Sequence, residues 1–311
     1  MPLKAPFPYF GGKARIADMV WQYLGDIPNY IEPFAGSLAV LLARPSTPKV
    51  ETVNDADCMI CNFWRSVKAD ATAVAQHADW PVNEADLHAR HHWLTAQLPD
   101  LQDRLFQDPE YFDAKIAGWW VWGVCAWIGG GWCSFKSQYQ PLPHLANGGR
   151  GVHALTRPDL PTMFKALENR LRRVRVCCGD WTRVLGDSVT VANGITGIFL
   201  DPPYAGDRDT TYGVDNREIA AQVRDWAIAN GDNPKLRIAL CGYDQGELMP
   251  AGWQEVSWEG AGYGRRGNKR GKANLTRERV WFSPHCRRNL TLFEVNTAVY
   301  SNQTKGCLQA A

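Results

Sequence analysis

The stretch NYIEPFAGSLAVLLARPSTPKVETVND, residues 29–55, decides the fold. Residues 29–34 are a short apolar run that ends in Pro33-Phe34-Ala35-Gly36, a strand feeding a turn. Leu38, Val40, Leu41 and Leu42 open a helix, with Ser37 as its N-cap. Residues 50–55 then form a second strand with an acidic end at Asp55. Two strands joined through a helix so close to the start of the chain predict a parallel sheet and an α/β fold.

Upstream, residues 7–13 form an aromatic and glycine turn, and Ile16, Val20, Tyr23 and Leu24 recur at helical spacing. Downstream the character changes. Helices are predicted over residues 59–68 (Ile60, Phe63, Trp64, Val67) and 83–98, the second opened by Asn83 and Asp86 as a variant capping box. Pro109, behind Asp108, opens a third that runs to about Trp127. Residues 129–151, rich in Gly, Pro, Ser and Asn, read as an extended loop, and Phe164, Leu167 and Leu171 mark another helix. The α/β grammar returns with strands over residues 175–180, 197–200, 236–241, 253–258 and 279–282. Between them Asn216 caps a helix carrying Ile219, Val223 and Trp226. The mainly helical middle therefore reads as an insertion into a seven-stranded frame.

The 311 residues suffice for one large α/β domain with an insertion, or for two modest domains. Charged residues make up 21% and hydrophobic ones 45%, the balance of a soluble globular enzyme rather than a disordered chain. A net charge of +2 gives no bulk attraction to nucleic acid, so any such footprint must be local. No secretory segment opens the chain. The uncharged run of residues 116–133 is broken by glycines and bulked by Trp, which reads as a buried helix entering a turn rather than a membrane span. Nine cysteines, an odd number without framework spacing, fit reduced thiols in a cytosol. Cys58 and Cys61 form a C-x-x-C without a second pair at zinc spacing and read as buried core thiols. His88, His91 and His92 read as a polar helix face, and no metal is expected. Trp119, Trp120, Trp122 and Trp127 read as the core of the helical segment, with Trp132 the more exposed one.

Three motifs carry chemistry. Asp201-Pro202-Pro203-Tyr204 ends an apolar strand, where ligands bind in an open parallel sheet. The two prolines stiffen the backbone and remove two amide donors. A carboxylate and the Pro202 carbonyl can then accept both N–H groups of an exocyclic amine and aim its lone pair at an electrophile. Tyr204 offers a face on which an extruded base can stack. The second motif is Glu32-Pro33-Phe34-Ala35-Gly36-Ser37, a small-residue turn at a helix N-terminus that lets the backbone approach an adenosine cofactor. Asp55, about twenty residues on, ends the next strand where an acid grips ribose hydroxyls. The third is Tyr9-Phe10-Gly11-Gly12-Lys13, whose lysine stands at a helix start against the preference of the helix dipole and so suggests an anionic partner, such as a methionine carboxylate.

In their order along the chain, residues 9–13, residues 32–37 with Asp55, then residues 201–204, the three resemble the Dam-type family of DNA adenine-N6 methyltransferases, over residues 7–284 discontinuously. The resemblance implies a Rossmann-like methyltransferase fold with a mostly parallel seven-stranded sheet and an inserted, mainly helical target-recognition domain. Residues 1–55 and 175–290 would bind S-adenosylmethionine and catalyse, residues 56–174 would recognise the target, and residues 291–311 would form a tail. It implies that Tyr9, Lys13, Asp55 and Asp201 contact S-adenosylmethionine, with Phe10, Gly11, Gly12, Glu32, Pro33, Phe34, Gly36 and Ser37 in the turns around it. Asp201, Pro202, Pro203 and Tyr204 would line the adenine pocket. Asp180-Trp181, an acidic-aromatic pair at a strand end, would hold the cofactor's adenine; capping and core packing is its other reading. Family members often continue the cofactor turn as Gly-x-Gly, whereas Leu38 stands here at the place of the second glycine. Recognition specificity does not carry over, because a Trp-rich segment and a Gly/Pro loop stand where a basic hairpin is usual.

Arg265, Arg266, Lys269, Arg270 and Lys272 crowd a glycine-rich loop near the predicted catalytic rim and read as phosphate contacts, joined by Lys136 and Arg150 from the middle loop. The expected reaction is direct methyl transfer to the N6 amine of an adenine flipped from double-stranded DNA. Cytosine N4, an RNA adenine, or a binding module that has lost catalysis are the alternatives. A monomer in the cytoplasm of a bacterial cell, of bacterial or phage origin, is the expected setting, with no membrane and no metal.

Overall fold

The structure is a computed structural model, and it describes residues 3–8, 13–46, 49–127, 131–133, 142–143, 159–203, 216–243, 249–258 and 278–287. Seven strands form one sheet: β1 (Asn29–Glu32), β2 (Val50–Asp55), β3 (Val174–Cys178), β4 (Thr196–Leu200), β5 (Leu236–Tyr243), β6 (Gln254–Ser257) and β7 (Glu278–Phe282). Their spatial order is β3-β2-β1-β4-β5-β7-β6. Strands β1 to β5 pair in parallel, and β7 runs antiparallel between β5 and β6. The predicted seven-stranded, mostly parallel sheet is what the chain forms.

The central strands β1 and β4 are buried along their whole length, as expected of strands covered on both faces. Alternation divides the sheet's two faces. Tyr30, Phe199 and Ala239 enter one apolar cluster, and Ile31, Ile198, Leu200, Ile238 and Leu240 enter the other. Gly197 of β4 leaves room for Ile27, whose Cδ1 would lie 2.2 Å from an added Cβ. Its neighbour Asn29 is buried because its amide is used, donating to the Val189 carbonyl (2.7 Å) and to Thr196 Oγ1 (2.9 Å).

Helices α1 (Ala17–Leu24), α2 (Ala39–Leu42), α3 (Cys58–Ala78), α4 (Glu84–Gln107), α5 (Ala114–Ala126) and α6 (Leu160–Leu171) contribute to the first cluster, and α7 (Asn216–Asn230) covers the other face. The helices between β2 and β3 share this cluster with the sheet. Phe7 packs edge-on against Phe63 of α3 (5.4 Å) and Trp120 of α5 (5.0 Å). Gly118 lets α5 lie against the second half of α3, where an added Cβ would meet His77 Cβ at 2.4 Å. At the start of β2, Glu51 is 2% exposed and is gripped by Arg44 (3.1 Å) and, through both guanidinium nitrogens, by Arg170 of α6 (2.6 and 2.8 Å).

Several helix ends differ from prediction. Ser37 does not cap α2; Leu38 stands at the N-cap with φ 57° and no side-chain cap bond. The helix predicted from Pro109 begins instead at Ala114, where the Asp113 carboxylate accepts the Ile116 N–H at 2.8 Å. Asp108 is spent on a turn, accepting from Glu110 N at 2.9 Å. α4 opens at the predicted Asn83 cap but runs through Pro99 to Gln107 rather than ending before the proline. α3 is longer than predicted, with a kink at Asp70 whose carboxylate recaps the chain through Ala73 N. His91 is not part of a polar face. It is buried, stacks on Trp127 (4.8 Å, 22°) and accepts the Cys133 N–H through Nδ1, and burial lowers its pKa. Trp120, Trp122 and Trp127 are buried as predicted, whereas Trp132 lies over Gly123 with its indole donating to the Trp120 carbonyl. The described cysteines are all free thiols. Among the described residues no helix is long and apolar enough to cross a membrane, and no group of three or more His, Cys, Asp or Glu is placed to hold a metal ion.

Candidate active site

The parallel pairing brings the carboxyl ends of β1, β2, β3 and β4 to one edge of the sheet. In the order 3-2-1-4-5 the chain reverses direction of winding between β1 and β4, the point at which open α/β sheets hold their ligands in a crevice. The described parts of the three motifs, Lys13, residues 32–37 and residues 201–203, lie at this edge.

The turn after β1 is held from β2. Asp55 Oδ2 accepts the Gly36 N–H (2.9 Å) and Oδ1 accepts the Asp57 N–H (3.0 Å). Asn54 works beside it: its carbonyl accepts Ala35 N (2.8 Å), and its amide donates to the carbonyls of Pro33 (3.1 Å) and Gly179 (2.9 Å). Gly179 N returns a bond to the Asp55 carbonyl at 2.9 Å, so one dipeptide ties together the turns after β1 and β3. Trp64 of α3 fixes the same turn from outside, donating to the Gly36 carbonyl at 3.0 Å. Gly36 at φ 45° and Leu38 at φ 57° complete a turn that bends through the left-handed region twice. A glycine would carry no strain at the second of these positions; Leu38 occupies it with its side chain fully buried.

Lys13 and Asp201 meet directly. The lysine Nζ lies 2.9 Å from Asp201 Oδ1, with the two side chains 4% and 19% exposed. The predicted anionic partner of Lys13 is thus found within the protein. The indole of Trp258 lies 5.7 Å from the ammonium. Burial alone would push the Lys13 pKa down, but the negative charge of Asp201, with Cys241 and Glu278 behind it, raises it above the ordinary lysine value.

Acids gather on the same edge. Glu32 is 2% exposed, and its Oε2 has no hydrogen-bond partner among the described residues. Burial raises its pKa well above the carboxylate range, against a Leu41 N–H bond that lowers it; Glu51 and Asp201 add to the rise. Asp57 caps α3 through the Met59 N–H (2.8 Å), and burial together with Asp55 raises its pKa to about 7.

Asp180 and Trp181 take capping and packing roles. Asp180 accepts from Thr182 N at 2.9 Å at the head of a short 3-10 turn, Trp181–Val184, and Trp181 is buried in the second cluster. Phe34 lies beside the Trp181 ring, centroids 6.1 Å apart and planes inclined by 29°. Pro202 is buried and Pro203 partly so. Tyr9, Phe10, Gly11, Gly12, Tyr204, Lys136, Arg150, Arg265, Arg266, Lys269, Arg270 and Lys272 lie outside the described residues. The structure adds Asn54, Asp57, Trp64 and Trp258 to the edge. The Asn-Asp-x-Asp spacing at residues 54–57 is a signal from which the first two are legible; nothing in the local sequence marks the two tryptophans.

Residues 9–113 match the family model described as D12 class N6 adenine-specific DNA methyltransferase, a family of enzymes, in agreement with the resemblance carried by the motifs. No curated protein matches the chain.

Proposed function

We propose that this chain, whose residues 9–113 carry the D12 class N6 adenine-specific DNA methyltransferase signature, transfers a methyl group from S-adenosylmethionine to the N6 amine of an adenine turned out of double-stranded DNA. The observation that carries this reading is the Lys13–Asp201 contact, which joins the N-terminal motif to the Asp-Pro-Pro turn at the crevice. The donor set fits the cofactor: an orphaned buried carboxyl oxygen on Glu32 suits a cationic ammonium, and the Gly36 turn, Phe34 and the acids Asp55 and Asp57 stand at the strand ends where an adenosyl group would lie. Bound there, S-adenosylmethionine supplies a methyl on a positively charged sulfur.

The protein's own part is positioning. Lys13 fixes the Asp201 carboxylate at the end of β4. Asp201 and the Pro202 carbonyl then accept the two N–H groups of the target amine and hold its lone pair toward the donor. Water exclusion falls to the buried Pro202 and, on this reading, to Tyr204 stacked on the base. Residues 56–174 would supply target recognition, and the basic residues of the loop at 265–272, with Lys136 and Arg150, would contact phosphates. Methyl incorporation into DNA, followed by nucleoside analysis, tests this. N6-methyladenine is expected from the parent, with at least about a 10²-fold loss in Asp201→Ala, the scale for removing one preorganised polar group. Wild-type rates in that variant, or N4-methylcytosine as the product, would overturn the assignment.

A further inference from the structure

The functional reading makes no use of a group of thiols beside the cofactor edge. Cys178 ends β3 and is the ladder partner of Asp55. Side chains alternate along a strand, so Cys178 shares a face with Val174 and Val176, which pack in the cluster that contains α3, while Cys177 packs on the opposite side. Cys61, in the first turns of α3, approaches from that same side. Its Sγ lies 3.3 Å from the Asp55 carbonyl and 3.5 Å from the Cys177 carbonyl, the atom next to the Cys178 amide. The two thiols are close enough to set each other's ionisation: a hydrogen bond from Cys61 holds Cys178 below the ordinary thiol value and leaves Cys61 well above it. Cys178 is also half-buried rather than sealed, so a small oxidant can reach it, whereas Cys61 and Cys133 are buried and burial pushes Cys58 up to about 12.

We propose that Cys61 and Cys178 are a peroxide-sensitive dithiol whose closure to a disulfide weakens cofactor binding at the neighbouring Asp55. The second half rests on the functional reading above. In the first step the Cys178 thiolate attacks one oxygen of hydrogen peroxide, forming a sulfenic acid and releasing the other oxygen, which is protonated to water. In the second the Cys61 sulfur attacks the Cys178 sulfur, the S–S bond forms, and the sulfenic oxygen leaves as water with the Cys61 proton. Two thiols and one peroxide give one disulfide and two waters. Closure removes the S–H that faces the Asp55 carbonyl and draws α3 toward β3. The displaced strand end is the one whose carboxylate holds Gly36 and whose carbonyl holds Gly179.

The test treats the whole protein with hydrogen peroxide, maps disulfide-linked peptides by mass spectrometry, and measures S-adenosylmethionine affinity by calorimetry before oxidation, after it, and after dithiothreitol. A linked peptide containing Cys61 and Cys178, a loss of affinity of fivefold or more, and full recovery on reduction are expected. Cys58→Ser should behave as the parent, and Cys61→Ser and Cys178→Ser should each lose the link and the response. Absence of that peptide, or its presence with unchanged affinity, overturns the proposal. A reduced protein that binds no cofactor defeats the functional reading and the affinity effect with it, while the peptide map still decides whether the dithiol exists.

Discussion

Replacing Lys13 by Met removes an ammonium that lies 2.9 Å from Asp201 Oδ1 and leaves that carboxylate 19% exposed without its cation. At this distance the gross attraction is about 6 kcal/mol for an effective dielectric near 20. Burying Lys13 to 4% exposure costs several kcal/mol, so the net effect is smaller. Because Asp201 keeps some water, the loss on breaking the pair should fall at or below the lower end of the buried range, about 2–3 kcal/mol. Asp201→Asn removes the same attraction from the other side, so the double variant should cost less than the two singles summed by about 2 kcal/mol. Urea unfolding of the four proteins measures this, and repetition in 1 M salt should change the coupling little, since a buried pair is poorly screened. Additive losses would show that the two side chains do not meet, and the joined crevice would lose its foundation. Kinetics separate the two roles of Lys13. A lysine that only holds the cofactor's carboxylate raises KM for the cofactor with kcat intact, whereas one that fixes Asp201 lowers kcat.

Asn54→Ala should raise the cofactor KM by about tenfold and cost about 1–3 kcal/mol, because it leaves the Pro33 and Gly179 carbonyls without their donor; steady-state kinetics and urea melts check both. Glu51→Ala strands two arginines in the core edge and should destabilise by about 3–5 kcal/mol without changing the cofactor KM of the folded fraction. Asp57 binds its proton more tightly when folded than unfolded, so its contribution is complete below pH 4 and is lost as pH rises toward about 7. Asp57→Asn, which keeps a capping oxygen, should be more stable relative to the parent at pH 8 than at pH 4, and an unchanged difference across that range would contradict the burial assigned to the carboxyl.

The central strands are legible because they are buried on both faces, and the predicted limits of the second strand, residues 50–55, coincide with those of β2. The acids at the strand ends are legible as strand ends, and the structure gives each a backbone amide to hold: Gly36 and Asp57 for Asp55, Thr182 for Asp180. What escaped notice depends on contacts distant in sequence. Ser37 is a good local cap, but the Gly36 amide is claimed by Asp55 from another strand, and the turn then bends through Leu38. Asp108-Pro109 has the grammar of a helix start, yet Asp113 caps instead, in a segment held to α3 through its own N–H on Asn62 at 2.9 Å. The helix predicted over residues 83–98 runs on through Pro99 to Gln107, since a proline within a long packed helix can be carried by its neighbours. The sequence asks for an anion beside Lys13 and offers a methionine carboxylate; the structure places Asp201 there. Which anion was unreadable, since Asp201 stands far along the chain and only the sheet brings it near.

The continuous apolar cluster that runs from the sheet through α3, α5 and α6 has an evolutionary consequence. A segment that serves as the crossover between two adjacent strands, and lends its tryptophans to their common interior, cannot be traded between relatives as a cassette. Grafting residues 56–174 from another protein would confront Phe7 and Gly36 with foreign neighbours, so under the proposed role of this segment new target preferences should arise by substitution at the outer surface of the helices rather than by wholesale shuffling.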